Sequence, residues 1–192
     1  MDSNTTNAPH RRKHIRLRGY DYSLPGNYFV TIVTHHRKCL FGDIIDGELH
    51  LNEAGQMVEA SYFDLERASD VVDCLDYVVM PNHFHCIIRI NDRCLTETDD
   101  DQSILTLPEL IKRFKSMTTV RYIHGVRQKS WMPFDRQLWQ NSFYDHIIRN
   151  ERAFDFIRSY IFHNPERWNY DHINPECGDS PDDINETIKQ FY

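Results

Sequence analysis

Several features that would place this chain in a specialised class are missing from its 192 residues. No run approaches 18 consecutive apolar residues, so the sequence predicts no transmembrane helix and no membrane partner. The first 20 residues are polar and then basic, without the apolar stretch of a secretory signal, and we expect a cytoplasmic protein. The five cysteines are scattered and form no Cys-x-x-Cys pair, which argues against a disulfide scaffold and a structural zinc knuckle. The sequence has no Walker-type glycine loop, so it offers no nucleotide site of that kind.

Basic residues are few overall but unevenly placed. The formal net charge is -7, yet residues 1–40 carry seven basic and two acidic side chains, and residues 103–168 carry eleven basic and six acidic ones. Such a distribution does not identify a nucleic-acid partner, but it indicates which two stretches would contact one.

The apolar pattern predicts one folded domain of the α+β class. We expect strands at 27–34, 39–41, 43–52, 73–80, 83–90 and 138–148, with a tight turn at Asp46-Gly47. We expect three helices that are capped by Asn52, Thr106 and Asn150 and run to about Ser69, Gly125 and His163. This order favours a ferredoxin-like or RRM-like antiparallel sheet with helices packed on one face. We divide the chain into a flexible basic arm (1–13), the folded domain (14–168) and an acidic C-terminal tail (169–192) that packs weakly.

A pair of histidines opens the strand predicted at 83–90. Because side chains alternate along a strand, His83 and His85 lie on the same face of the sheet. Two imidazoles at this spacing can bind one divalent ion, provided that another element supplies further ligands. The alternative is that both histidines simply pack or form hydrogen bonds on the sheet.

The last predicted helix carries a second pair of polar side chains. Tyr160 and Asn164 are one helical turn apart and therefore share a face. A phenol is a possible nucleophile, and an amide oxygen is an acceptable ligand for a hard ion such as Mg²⁺ or Mn²⁺. Equally, Tyr160 could be a core aromatic and Asn164 a helix cap. Tyr122 and Tyr144 are weaker nucleophile candidates, because neither has a ligand-type side chain one turn later.

Several ordered motifs together resemble the single-tyrosine HUH transposases, and most closely the REP-associated tyrosine transposases. The resemblance covers about residues 12–168. It rests on the stretch from Tyr77 to His85, which contains the His-hydrophobic-His signature, and on further blocks at 16–22, 26–31, 114–116, 138–140, 144–150 and 160–165.

The resemblance implies an HUH endonuclease fold and a metal-dependent DNA transposase or endonuclease. It implies that His83, His85 and Asn164 bind a divalent metal ion, Mg²⁺ or Mn²⁺, and that Tyr160 is the catalytic nucleophile. The enzyme would cleave and rejoin single-stranded DNA next to a REP-like hairpin through a 5′-phosphotyrosine. Members of the family act as monomers or as homodimers. A phenolate of ordinary pKa costs about 4 kcal/mol at neutral pH, and a metal-bound phosphate would offset much of this cost.

DNA contacts are expected from the basic side chains of the two positively charged stretches. These are Arg11, Arg12, Lys13, Arg16 and Arg18 near the N-terminus, and Lys112, Arg113, Lys115 and Arg121 on the second predicted helix. Exposed Lys and Arg side chains are often solvated without binding anything, so their position relative to the metal and tyrosine residues decides whether they can contact the same DNA.

Two alternatives to the enzyme remain open. One is a catalytically idle protein that binds REP-like hairpins, and it predicts that replacing Tyr160 leaves function unchanged. The other is a zinc hydrolase in which His83 and His85 act with a carboxylate, although no His-Glu-x-x-His motif supports it.

Overall fold

The computed structural model describes residues 19–92, residues 105–177 and Ile188. The predicted basic arm at 1–13 lies outside these residues, as do Arg16 and Arg18. No helix in the described part of the chain is both long and apolar enough to cross a membrane.

The strands of the described residues form a four-stranded antiparallel sheet and a separate two-stranded hairpin. The sheet contains β1 (Gly26–Val33), β4 (Val72–Val79), β5 (His83–Ile90) and β6 (Tyr144–Ile148), in the spatial order β4-β5-β1-β6. The hairpin consists of β2 (Gly42–Ile45) and β3 (Glu48–Leu51). It turns at Asp46 and Gly47, which adopt positive φ angles of 53° and 80°. Asp and Gly both tolerate this conformation, so the turn forms where the sequence predicts it.

Three helices within residues 19–92 and 105–177 begin at the capping residues that the sequence predicts. They are α1 (Glu53–Arg67), α2 (Leu107–Lys129) and α3 (Glu151–His163). The Asn52 and Asn150 side chains each accept a hydrogen bond from a backbone N–H of the first turn. Thr106 and Glu109 form a reciprocal capping box at the start of α2. These bonds satisfy donors that have no partner inside the helix, which is why short polar residues mark the starts of helices.

The helices cover both faces of the sheet, which differs from the expectation of helices on one face. α1 and α2 pack with Phe84, Cys86 and Ile88 of β5 in the larger core cluster. α3 packs against the opposite face, in a cluster that includes Ile87. The α+β class and the antiparallel sheet are confirmed, and the reason for the difference is the alternation of apolar residues on both faces of β5.

Helix α2 continues beyond the glycine at which we predicted its end. It runs to Lys129 and stops at Ser130, which takes a left-handed conformation with φ 57° and ψ 32°. A Cβ on Gly125 would collide with the ring of Trp131. The glycine therefore permits a close approach of an aromatic ring to the helix and does not terminate it.

Two predicted strands are shorter or missing. Only Tyr144–Ile148 of the predicted 138–148 strand joins the sheet, while Trp139 forms a single bridge to Thr34 and donates its indole N–H to Thr118. Residues 39–41 form no strand, because the N–H groups of Leu40 and Phe41 both donate to the Pro81 carbonyl. In both stretches the apolar side chains cover the core from a loop.

Candidate active site

The two histidines of β5 share the sheet face that α3 covers. His83 follows the tight turn at Pro81 and Asn82, in which the Met80 N–H donates to the His83 carbonyl. The His83 and His85 rings have centroids 4.5 Å apart, and both residues have no exposed surface. The predicted placement of both imidazoles on one face is therefore confirmed by the geometry.

His85 is held by two neighbours on β1. Its Nδ1 lies 2.8 Å from the hydroxyl of Thr31, which is its register partner on that strand. Its ring stacks on Phe29, with centroids 5.3 Å apart. These contacts orient the other ring nitrogen, Nε2, toward α3.

Tyr160 reaches the histidine pair from α3. Its hydroxyl lies 3.4 Å from His85 Nε2, and the side chain is half-buried. Its ring meets Phe29 edge-on, with centroids 6.3 Å apart. The phenol is thus neither buried in the core nor remote from the imidazoles, which are the two arrangements that would exclude it as a nucleophile. Tyr122, by contrast, is buried with the opposite core cluster and donates its hydroxyl to the Met132 carbonyl.

A carboxylate that the sequence analysis did not consider completes the cluster. Asp171 is 3% exposed, and its Oδ2 lies 3.6 Å from His83 Nε2. One ligand atom each from His83, His85 and Asp171 lie within 4.8 Å of one another, which is close enough for all three to bind a single ion.

Three buried polar atoms in this cluster have no hydrogen-bond partner among the described residues. They are His83 Nε2, Asn164 Oδ1 and Asp171 Oδ2. Buried polar atoms without partners are costly and therefore uncommon in folded proteins. A divalent cation would satisfy all three, so the residues that are present fit a metal ion.

Burial keeps both histidines uncharged at neutral pH. Burial lowers the pKa of His83 to about 4, although Asp171 and Asn164 both favour its charged form. Burial also lowers the pKa of His85 well below its ordinary value, and the neighbouring His83 adds to this effect. The contact between His83 and Asp171 is therefore not an ion pair at neutral pH. A neutral imidazole is the form that binds a metal.

Asp171 reaches the site because the chain turns back after α3. A single 3-10 turn at Trp168–Tyr170 follows the helix, and the Asp171 Oδ1 accepts a hydrogen bond of 2.7 Å from the Ile173 N–H. Ile173 and Asn174 are buried, as is Ile188, which packs in the α3 cluster. Parts of the predicted acidic tail therefore pack against the domain. The sequence signal was the group of aromatic and apolar residues around Asp171, which a weakly packed tail would not need.

The structure brings the predicted metal and nucleophile residues together, but the predicted DNA-binding residues of α2 lie elsewhere. Lys112 and Arg113 are exposed on α2, on the other side of the sheet. Lys115 donates to the carbonyls of Gln140 and Ser142, and Arg121 forms an ion pair of 2.6 Å with Asp64 on α1. The predicted residues of the N-terminal stretch, Arg11, Arg12, Lys13, Arg16 and Arg18, lie outside the described residues. His163, next to the candidate ligand Asn164, is exposed and contacts Ser159.

Comparison with known proteins gives one sequence relative and two solved structures of note. An uncharacterized protein of Haemophilus influenzae is 33% identical over 175 residues, which cover 85% of this chain and 93% of the relative. No protein-family model matches the chain.

The first solved structure is a REP-associated tyrosine transposase bound to a REP hairpin. It shares 23% identity and a TM-score of 0.50 with this chain, over 78% of this chain and 73% of the other. A proposed transposase from Deinococcus radiodurans is 18% identical over 77% of this chain and 95% of its own, at a TM-score of 0.43, which is too low to carry an argument. The first likeness confirms the fold that the sequence motifs imply.

Proposed function

We propose that this protein is a metal-dependent single-tyrosine DNA transposase. The chain belongs to the same family as the Haemophilus influenzae protein and has the fold of a REP-associated tyrosine transposase. The observation that carries the proposal is the 3.4 Å distance between the Tyr160 hydroxyl and His85 Nε2, beside three buried atoms that lack partners. A half-buried phenol beside candidate metal ligands is suited to nucleophilic attack on a phosphodiester.

In the proposed reaction Tyr160 acts as the nucleophile. Its oxygen forms a bond to phosphorus in single-stranded DNA, and the bond from phosphorus to the 3′-oxygen breaks. The products are a 5′-phosphotyrosine and a free 3′-hydroxyl, which carries the proton that the phenol loses. A second 3′-hydroxyl reverses the step and joins new DNA, so strand transfer needs no nucleotide cofactor because the covalent link conserves the phosphodiester energy.

His83, His85, Asp171 and Asn164 would hold the divalent ion. Two imidazole nitrogens with carboxylate and amide oxygens suit Mn²⁺ better than Mg²⁺, which prefers oxygen ligands. When bound, such an ion would polarise the scissile phosphate and stabilise the charge that develops there. Phe29 and the other apolar side chains around the histidines limit the access of water to the cluster.

The proposed substrate is a DNA hairpin with a single-stranded flank. The solved REP-associated tyrosine transposase is bound to a REP hairpin, and this chain has the same fold. We propose that the exposed cations Lys112 and Arg113 contact phosphates of the hairpin stem on the α2 side of the sheet, while the single-stranded flank reaches the metal cluster. The arm at 1–13 would add phosphate contacts, and the protein would act as a monomer or a homodimer.

Replacement of Tyr160 tests the chemistry separately from binding. Wild-type protein with Mn²⁺ and a REP-like hairpin substrate should form a covalent adduct that survives denaturing electrophoresis. Tyr160→Phe should form no adduct and bind the hairpin with unchanged affinity. Tyr170→Phe is the matched control, because Tyr170 is 63% exposed and close in sequence, and it should react as wild type does. If wild type binds hairpins without ever forming the adduct, the protein is an idle hairpin-binding protein.

One observation favours a second candidate function. Two histidines and a carboxylate are also a ligand set of zinc hydrolases, and Asp171 supplies the carboxylate that this alternative requires. Hydrolysis by a zinc-bound water would not need Tyr160. If the protein cleaves phosphate esters with Zn²⁺ and Tyr160→Phe cleaves them equally well, the protein is a zinc hydrolase and not a transposase.

A further inference from the structure

Asn82, which precedes the first histidine, connects three segments of the chain. It has no exposed surface, and its side-chain Nδ2 donates to the carbonyls of Arg37 and Ile173 at 3.0 Å each. Its Oδ1 lies 2.8 Å from His83 Nδ1. The Asn82 backbone carbonyl accepts a further hydrogen bond from the Thr34 N–H. One side chain thus joins the loop after β1, the start of β5 and the segment that carries Asp171.

These partners determine how the Asn82 amide is oriented. The two backbone carbonyls can only accept hydrogen bonds, so the atom that faces both of them must be the NH₂ group. The reversed amide would place its oxygen 3.0 Å from each of the two carbonyl oxygens with no proton between them. The oxygen of the amide must therefore face His83 Nδ1.

The orientation of the amide in turn determines the tautomer of His83. An amide oxygen only accepts, so the neutral His83 ring must carry its proton on Nδ1. Its Nε2 then has a free lone pair. This is the buried nitrogen that lacks a hydrogen-bond partner and lies 3.6 Å from Asp171 Oδ2.

We propose that Asn82 is a positioning residue, which fixes His83 in the tautomer with a free Nε2 and anchors the Asp171 segment opposite that nitrogen. The inference rests on the proposed function only for the identity of the bound ion. Hydrogen bonds behind a metal-binding histidine orient its ring, and their loss commonly weakens metal binding. Asn82 would act on two ligands at once, because Ile173 is two residues from Asp171.

Hydrogen bonds to Asn82 and to the Asp171 segment also hold the loop after β1. His36 and Arg37 both have positive φ angles, 58° and 54°, which are uncommon for residues with a Cβ. The Arg37 carbonyl accepts from Asn82, and the Arg37 guanidinium donates to the His172 carbonyl at 2.9 Å. These bonds hold the loop in its unfavourable conformation and join it to the segment that carries Asp171.

The first test measures the tautomer in the wild-type protein without metal or DNA. Long-range ¹H–¹⁵N NMR spectra at neutral pH distinguish protonated from unprotonated ring nitrogens, and a His83→Asn sample identifies the His83 signals. We expect Nδ1 to be protonated and Nε2 to be free. A protonated Nε2 in the wild type overturns the proposal without any variant having to fold.

The second test compares two replacements of Asn82 with a control. Asn82→Ala removes the acceptor, so Nε2 can take the proton and donate it to Asp171, and Mn²⁺ affinity should fall by about 10–100-fold. Asn82→Asp retains an acceptor for Nδ1 but loses both donors, so it should keep the tautomer while the protein becomes less stable. Thr34→Val removes a hydrogen bond to the Lys38 carbonyl in the same loop without touching His83, and should leave the tautomer unchanged.

The outcomes separate this proposal from the proposed function. If folded Asn82→Ala keeps the wild-type tautomer and Mn²⁺ affinity, or if Asn82→Asp loses the tautomer as Asn82→Ala does, Asn82 does not position His83. These measurements use calorimetry and NMR on the protein alone. A wild-type protein with the expected tautomer and Mn²⁺ binding but no DNA adduct would refute the transposase and leave the role of Asn82 intact.

Discussion

Replacing Asp171 by asparagine should make the metal-free protein more stable and remove most of the stabilisation that bound Mn²⁺ provides. In the absence of metal, Asp171 Oδ2, Asn164 Oδ1 and His83 Nε2 face one another without a donor. Asp171→Asn is nearly isosteric and supplies an N–H₂ group among these acceptors. The Oδ1 atom that accepts from the Ile173 N–H is retained, so the local backbone should keep its conformation.

The expected gain in stability follows from the cost of leaving a buried polar atom without a hydrogen-bond partner. Leaving a buried polar atom unsatisfied costs about 1–3 kcal/mol, so we expect metal-free Asp171→Asn to gain a similar amount. For a domain of this length each kcal/mol raises the melting temperature by about 2–4 °C. Mn²⁺ at about 100 times its dissociation constant should stabilise the wild type by about 2.7 kcal/mol, and the variant should lose most of this increment.

Thermal unfolding in EDTA and in Mn²⁺ measures both halves of the prediction. Asp155→Asn is the control, since Asp155 is an exposed carboxylate on α3 and its replacement should change neither melting temperature nor the response to Mn²⁺. A variant that is less stable than wild type in EDTA would show that Asp171 has a stabilising partner in the metal-free protein. An undiminished Mn²⁺ response in Asp171→Asn would remove this carboxylate from the metal site.

Three further predictions concern pH, packing and DNA binding. In EDTA, stability should fall as the pH drops from about 6.5 toward about 4, because unfolded His83 takes up a proton that the folded protein, with a His83 pKa of about 4, does not. Urea unfolding across this range should show a weaker pH dependence in His83→Asn, and an equal dependence would contradict the assignment. Gly125→Ala should destabilise the protein by about 1–3 kcal/mol through collision with Trp131, whereas exposed Gln128→Ala on the same helix should not, as chemical denaturation would show. Lys112→Gln and Arg113→Gln should each reduce the slope of log affinity against log salt for a hairpin by about 1, and Arg67→Gln on α1 should leave it unchanged if the stem lies across α2.

Local rules accounted for much of the fold. The starts of α1, α2 and α3 follow from capping side chains that bond to backbone groups within three residues, so they can be read from short stretches of sequence. The shared face of His83 and His85 follows from strand alternation, and that of Tyr160 and Asn164 from helical periodicity. The predictions that were wrong depended on contacts that these local rules do not describe: Gly125 makes room for the ring of Trp131 and does not end α2, and Leu40 and Phe41 donate to the Pro81 carbonyl instead of forming a strand.

By itself the sequence determined which side chains share a strand or a helix face, because those relations depend only on backbone geometry over a few residues. It also determined that a histidine pair and a tyrosine with family-like spacing were present. Only the tertiary structure decided that α3 covers the histidine face, that Asp171 turns back to His83, and that Asn82 joins these segments. The physical reason is that these contacts link residues up to 91 positions apart, and burial and hydrogen bonding across such separations are settled only when the whole core packs.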